Sequence, residues 1–120
     1  MRQFLKALTL AACALVAMPA AAQEKVNLSI GTGGTGGAYY PLGGGMANVL
    51  SKYVPGMAAT AEVTGGSVAN LQLIGTGKPY IGLSMTDAAL DAFKGEDKFK
   101  GNKVELRTLA ILYPNRMHVV

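Results

Sequence analysis

Residues 26–30 (Val-Asn-Leu-Ser-Ile) alternate apolar and polar side chains, the period of a strand with one buried face. The alternation stops at a glycine-rich stretch, Gly31-Thr32-Gly33-Gly34-Thr35-Gly36-Gly37. Beyond it the period changes. From Pro41, whose fixed φ suits a first helical turn, Leu42, Met46, Val49, Leu50 and Tyr53 recur at helical spacing, and Pro55-Gly56 ends the run. Gly43-Gly44-Gly45 lies inside this helix and weakens it by roughly 1 kcal/mol per glycine relative to alanine. Such a triplet suits either close packing on a sheet or the close approach of a ligand.

The same alternation of periods continues. Residues 57–63 form a second strand candidate, ending at Thr64-Gly65-Gly66-Ser67. Ser67 is the expected N-cap of a short helix with Val68, Leu71 and Ile74 on one face. Residues 80–84 read as a third strand. Met85-Thr86-Asp87 follows, with Thr86 as the expected N-cap of a helix carrying Ala88, Leu90, Ala92 and Phe93. Residues 94–103 are a polar excursion in which lysines alternate with Glu96 and Asp97, which reads as a solvated loop. Residues 104–112 predict a fourth strand, Tyr113-Pro114-Asn115 a turn, and residues 117–120 the start of a fifth strand.

Strands alternating with helices predict an α/β fold with right-handed crossovers and a mostly parallel sheet flanked by helices. In such sheets ligands bind beyond the carboxyl ends of the strands. The segments GTGGTGG, TGGS and SMTD each follow a strand and precede a helix, so all three are expected on that one edge. The chain stops within an apolar strand pattern, from which a missing second lobe is expected.

The first 22 residues carry a different pattern. Arg2 and Lys6 form a basic start, residues 7–18 are apolar or small apart from Thr9, and Ala20-Ala21-Ala22 supplies a cleavage site. This reads as a secretory signal peptide cleaved after Ala22. It is shorter than the roughly 20 apolar residues of a membrane span, so the protein is not expected to span the membrane itself. Leu10-Ala11-Ala12-Cys13 matches a lipobox, which makes a lipoprotein anchored at Cys13 the alternative. However, the apolar run continues past Cys13 to Met18, where a lipidated cysteine would be followed by a polar tether. With the leader removed the chain has no cysteine, hence no disulfide framework and no thiolate metal site. A periplasmic protein resting on its core alone is expected.

Charge excludes one partner class. Of 11 Lys and Arg, two lie in the leader, leaving nine against seven Asp and Glu, or +2. That is no nucleic-acid footprint. No His, Asp or Glu cluster has metal-ligand spacing, so no metal is expected.

Three chemistries fit the glycine loops unequally. Gly31-x-Gly33-x-x-Gly36 satisfies a dinucleotide fingerprint, but the acidic residue expected about 20 positions on is missing, and Glu62 lies too far along. No lysine follows Gly36 or Gly37, which excludes a P-loop. No cofactor is therefore expected. Gly65-Gly66-Ser67-Val68-Ala69 nearly fits a nucleophile elbow, with Asp87 and His118 following in the order of a hydrolase triad. An exported serine hydrolase using Ser67 is thus an alternative, though the Ser–His spacing is far tighter than such enzymes use. The third is binding of a small anion. Helix N-termini converge on one edge, Thr32, Thr35, Thr64, Ser67, Ser84 and Thr86 offer hydroxyls, and Tyr39 and Tyr40 can wall a pocket.

SIGTGGTGGAYYPLGG, VTGGSVANLQLI, IGLSMTDAAL and LAILYPNRMHVV, taken in this order, resemble the TAXI-type substrate-binding proteins of TRAP transporters. The resemblance covers residues 27–120. It implies a bilobed periplasmic-binding-protein fold of type II, of which residues 23–120 would be the N-terminal lobe, truncated at the hinge. It implies a small carboxylate ligand, such as glutamate or a dicarboxylate, delivered to the TRAP transporter membrane subunits, and no enzymatic activity. Carried onto this chain, Thr32, Gly33, Gly34, Thr35, Gly36 and Gly37 with Tyr39 and Tyr40 would line the ligand. Gly65, Gly66, Ser67 and Asn70 would present the second helix N-terminus. Ser84, Met85 and Thr86 would form the third edge, and Tyr113 would lie near the hinge. Asn115 follows Pro114 where the family pattern has an acidic residue, a departure on the hinge side.

Overall fold

The computed structural model describes residues 25–78 and 80–114. The expected signal peptide, the fifth strand and His118 lie outside the described residues. Strand β1 spans Val26–Gly31, helix α1 Tyr39–Tyr53, β2 Met57–Glu62, α2 Ser67–Ile74, β3 Tyr80–Gly82 and α3 Thr86–Lys94, followed by a 3-10 turn at Asp97–Phe99. The three strands form one parallel sheet in the order β2-β1-β3. The expected α/β lobe is therefore present. Gly31 pairs with Glu62 on one side and with Gly82 on the other. The carboxyl ends of the three strands are thus level, and the three following loops start from one edge.

Alternation along β1 assigns the helices to faces. A Cβ built on Gly43 of α1 would collide with Thr32 Cγ2 and touch Ile30 Cγ2 at 3.6 Å. A Cβ on Gly31, between those two residues, would instead collide with the Asn70 side chain of α2 and with the Tyr80 ring. Neighbouring strand residues point to opposite faces, so α1 and α2 cover opposite faces of the sheet. Gly43 is the member of the triplet that permits close packing. Nothing lies within 4 Å of a Cβ on Gly44 or Gly45.

The main core cluster lies on the α2 face. Leu71, Ala92, Phe99 and Val104 are buried together, with Val68, Ile74, Ala88, Ala89 and Leu106 packed around them. Phe99 comes from the stretch expected to be a solvated loop. The 3-10 turn folds it inward while the lysines around it stay exposed.

The fourth strand expected at 104–112 is not formed. Residues 102–114 have no regular secondary structure. Val104 is held by its N–H, which donates to the Ala92 carbonyl at 2.9 Å, but Leu109 and Ile111 are 75% and 87% exposed. An apolar alternating pattern becomes a strand only where another strand takes its peptide groups. Among the described residues, no strand pairs with this segment. Leu109 instead borders an apolar groove with Leu42, Met46, Val49 and Ile81.

A polar cluster lies beneath α2. Ser29 Oγ donates to Glu62 Oε1 at 2.6 Å and Tyr80 Oη donates to Glu62 Oε2 at 3.3 Å. Burial, then the neighbouring Glu62 charge and its hydrogen bond, push the Tyr80 hydroxyl from its ordinary value of 10.0 up to about 12. The folded value exceeds the unfolded one, so the protonated Tyr80 contributes stability that is complete below pH 10 and lost as pH rises through about 12. Chemical denaturation at stepped pH should show stability falling across that window. Tyr80→Phe should flatten this part of the fall, and an unchanged slope in Tyr80→Phe would refute the assignment.

Candidate functional site

The site is built from the three loops on the carboxyl edge. The order β2-β1-β3 sends the chain from β1 to one face, into α1, and from β2 and β3 to the other face, into α2 and α3. A crevice between loops leaving to opposite faces is the place where open α/β sheets bind ligands. Here the first loop leaves to the α1 face and the second and third to the α2 face, so by that rule the candidate position is the sheet edge where the first loop meets the other two.

Thr32 and Gly33 are buried at the start of the first loop. The Thr32 N–H and hydroxyl both donate to the Glu62 carbonyl, at 2.9 and 2.6 Å. Gly34, Thr35, Gly36 and Gly37 are exposed, and the loop closes with Gly37 N–H donating to the Gly34 carbonyl at 3.0 Å. The half-buried Tyr39 ring stands over Gly33, its Cδ2 3.8 Å from where a Cβ there would lie. Tyr40 is exposed.

Gly65 and Gly66 form the second loop. Gly66, not Ser67, is the cap residue of α2, with φ 88° and ψ −152°. That combination is open essentially to glycine alone. Ser67 is the first helical residue, and its Oγ accepts from Met85 N–H at 3.0 Å, tying the second loop to the third. The proton of that hydroxyl remains free to donate elsewhere. In the third loop Met85, not Thr86, caps α3. Ser84 Oγ donates to the Met85 carbonyl at 2.9 Å.

None of the three helices carries a side-chain cap, since Ala38, Gly66 and Met85 supply no such bond. A missing cap typically costs about 1 kcal/mol of helix stability. The three ends nevertheless differ. α1 and α2 have no acidic residue in the first turn. In α3, Asp87 stands in the first turn and its Oδ1 accepts from Ala88 N–H at 2.7 Å. The α3 dipole already faces a carboxylate, so an anion is favoured at the starts of α1 and α2.

Asn70 is placed differently from a surface ligand contact. It is fully buried. Its Nδ2 donates to the carbonyls of Leu83, Thr32 and Gly31 at 2.7, 2.8 and 3.1 Å, and its Oδ1 accepts from Thr64 Oγ1 at 2.6 Å. Tyr113 is exposed in the irregular segment, and no hydrogen bond among the described residues ties it to the loops. Sequence reasoning overlooked Glu62 as a structural hub. The signal was available: an acid ending a strand whose four preceding residues, 58–61, are all small.

Residues 30–120 match the NMT1-like family. The chain belongs to the NMT1-like family. This is a periplasmic-binding-protein-like family with an extracytoplasmic solute-binding role, generally of binding proteins and not enzymes. The loops described above all fall inside the matched NMT1-like region. Neither the NMT1-like assignment nor the geometry supports a serine hydrolase. Among the described residues, the hydrogen bond made by Ser67 Oγ is the one it accepts from Met85 N–H. No group of three or more His, Cys, Asp or Glu among the described residues is arranged to hold a metal. No helix among them is long and apolar enough to cross a membrane.

Proposed function

We propose that this protein is a TAXI-type solute receptor that captures a small carboxylate, glutamate or a dicarboxylate, for a TRAP-type transporter. Residues 1–22 are its cleaved export signal and residues 23–120 its first lobe. The observation that carries the reading is the pair of uncapped, acid-free helix N-termini at α1 and α2, opening from one sheet edge. Unpartnered N–H groups and the positive end of the helix dipole favour an anion there. Thr35, Gly36, Gly37 and Tyr40 present one side of the site, and Gly65, Gly66 and Ser67 the other. Thr32 and Asn70 act beneath it. A carboxylate held this way needs neutral donors only, which accords with the absence of Lys and Arg from all three loops.

Thermal unfolding in the presence of succinate, L-glutamate, acetate and a neutral diamide tests the reading. A carboxylate at 100 times its Kd stabilises the folded state by about 2.7 kcal/mol. That raises the melting temperature by several degrees for a chain of this size. The diamide should leave it unchanged. If every carboxylate also leaves it unchanged, the anion site is wrong.

A further inference from the structure

We infer that Asn70 is a positioning residue that ties the loops after β1 and β3 together and so holds the candidate ligand site in its binding geometry. Its side chain is fully buried and begins on α2, yet none of its hydrogen bonds serves its own helix. The two shortest Nδ2 bonds reach the carbonyls of Leu83 and Thr32, the first residues after β3 and β1. Those strands are neighbours in the sheet. One amide group has two hydrogens, and here both are spent on joining the two loops.

The rest of the contact set fixes the amide in one orientation. Thr64 Oγ1 lies 2.6 Å from Asn70 Oδ1, and the same hydroxyl accepts from the Gly66 N–H at 3.1 Å. Asn70 thus draws in the second loop through Thr64, so one side chain references all three loops. The strands are shaped to admit it. A Cβ on Gly31 would collide with Asn70, and one on Gly82 would lie 3.0 Å from Asn70 Cβ. Two strand-end glycines clear the space for this one residue. Asparagine is required by the donor count: aspartate has the same shape but would set a carboxylate against three carbonyl oxygens. No polar side-chain atom among the described residues is left buried without a partner, so the hydrogen-bonding needs of the buried amide are met.

The inference rests on the carboxylate reading for its functional consequence but not for its structural one, and the test separates the two. A residue touching the ligand speeds ligand release when it is lost. A residue that keeps the free protein in its competent state instead lowers the competent fraction, so the apparent affinity falls through slower association. Asn70→Ala and Asn70→Asp should therefore bind succinate or L-glutamate at least 10-fold more weakly, through kon with koff nearly unchanged. In the free variants, amide hydrogen exchange should accelerate at least 10-fold at residues 32–38 and 83–86 and stay unchanged within β2. Should the Asn70 variants not fold, Thr64→Val should show the same pattern and Thr64→Ser should restore it.

A rise in koff with unchanged loop exchange would make Asn70 a ligand contact and overturn the inference. Uniform acceleration including β2 would make it an ordinary core residue and also overturn it. Selective loop acceleration in a protein that binds none of the carboxylates would leave the lock standing and reject the carboxylate reading.

Discussion

Gly43→Val should destabilise the protein by roughly 3 kcal/mol, while Gly44→Ala and Gly45→Ala should each stabilise it by up to about 1 kcal/mol. Three consecutive glycines in one helix thus respond with opposite signs. At Gly43 a new Cβ meets Thr32 Cγ2, and Thr32 cannot turn away. Its hydroxyl donates to the Glu62 carbonyl at 2.6 Å and the side chain is fully buried. The helix must therefore lift from β1, which opens the packing around Ile30 and Ala47. Overpacking of this kind costs about 1–3 kcal/mol before the poor helix propensity of valine is added. Gly44 and Gly45 face open space, so alanine there restores ordinary helix propensity. Urea unfolding of the three single variants decides the matter. A stability loss in Gly44→Ala as large as that in Gly43→Val would show that α1 is not seated as described.

Ser67→Asp should weaken carboxylate binding by about 10- to 100-fold without loss of stability. Ser67 occupies the first turn of α2, where a carboxylate complements the helix dipole by about 0.3–1 kcal/mol. The same carboxylate would occupy the potential that the ligand uses. Two like charges about 4 Å apart repel by about 4 kcal/mol at an effective dielectric constant of 20, and less where water reaches the site. Ser67→Asn, neutral and still able to accept from Met85 N–H, should bind within a few-fold of the parent protein. Isothermal titration with succinate or L-glutamate, paired with melting curves, gives both readouts. Equal affinity in Ser67→Asp and the parent would remove the anion from the α2 N-terminus. Raising the salt concentration should narrow the gap between the two variants, because the added repulsion is screened.

The placing of the three loops on one sheet edge was legible in the chain itself. Three strand-to-helix junctions, each marked by glycine or a short hydroxyl side chain, imply loops on one edge, and the strand register brings Gly31, Glu62 and Gly82 level. What each residue does there was less legible. Ser67 and Thr86 have the side chains of caps, yet Gly66 and Met85 hold the cap positions. Cap choice follows backbone angles, and Gly66 reaches φ 88° at no steric cost. The motif singled out Asn70 but not its bonding partners, which lie 13 to 39 residues away along the chain. Phe99 sits among lysines in sequence and joins the core through a turn that local periodicity does not register.

The sequence by itself determined the order of elements as far as residue 94, the parallel sheet and the placing of the three loops on one sheet edge. Those properties depend on period, chain direction and the handedness of crossovers, all of which are local or chiral rules. Tertiary structure alone decided which glycine of the triplet touches the sheet, which hydroxyls are already engaged, and that residues 104–112 form no strand. Each of these depends on atoms far away in the chain. A Cβ has room or does not according to the opposing strand, and a hydroxyl is free only if no distant amide claims it. A strand-like pattern pairs only where another strand offers its peptide groups.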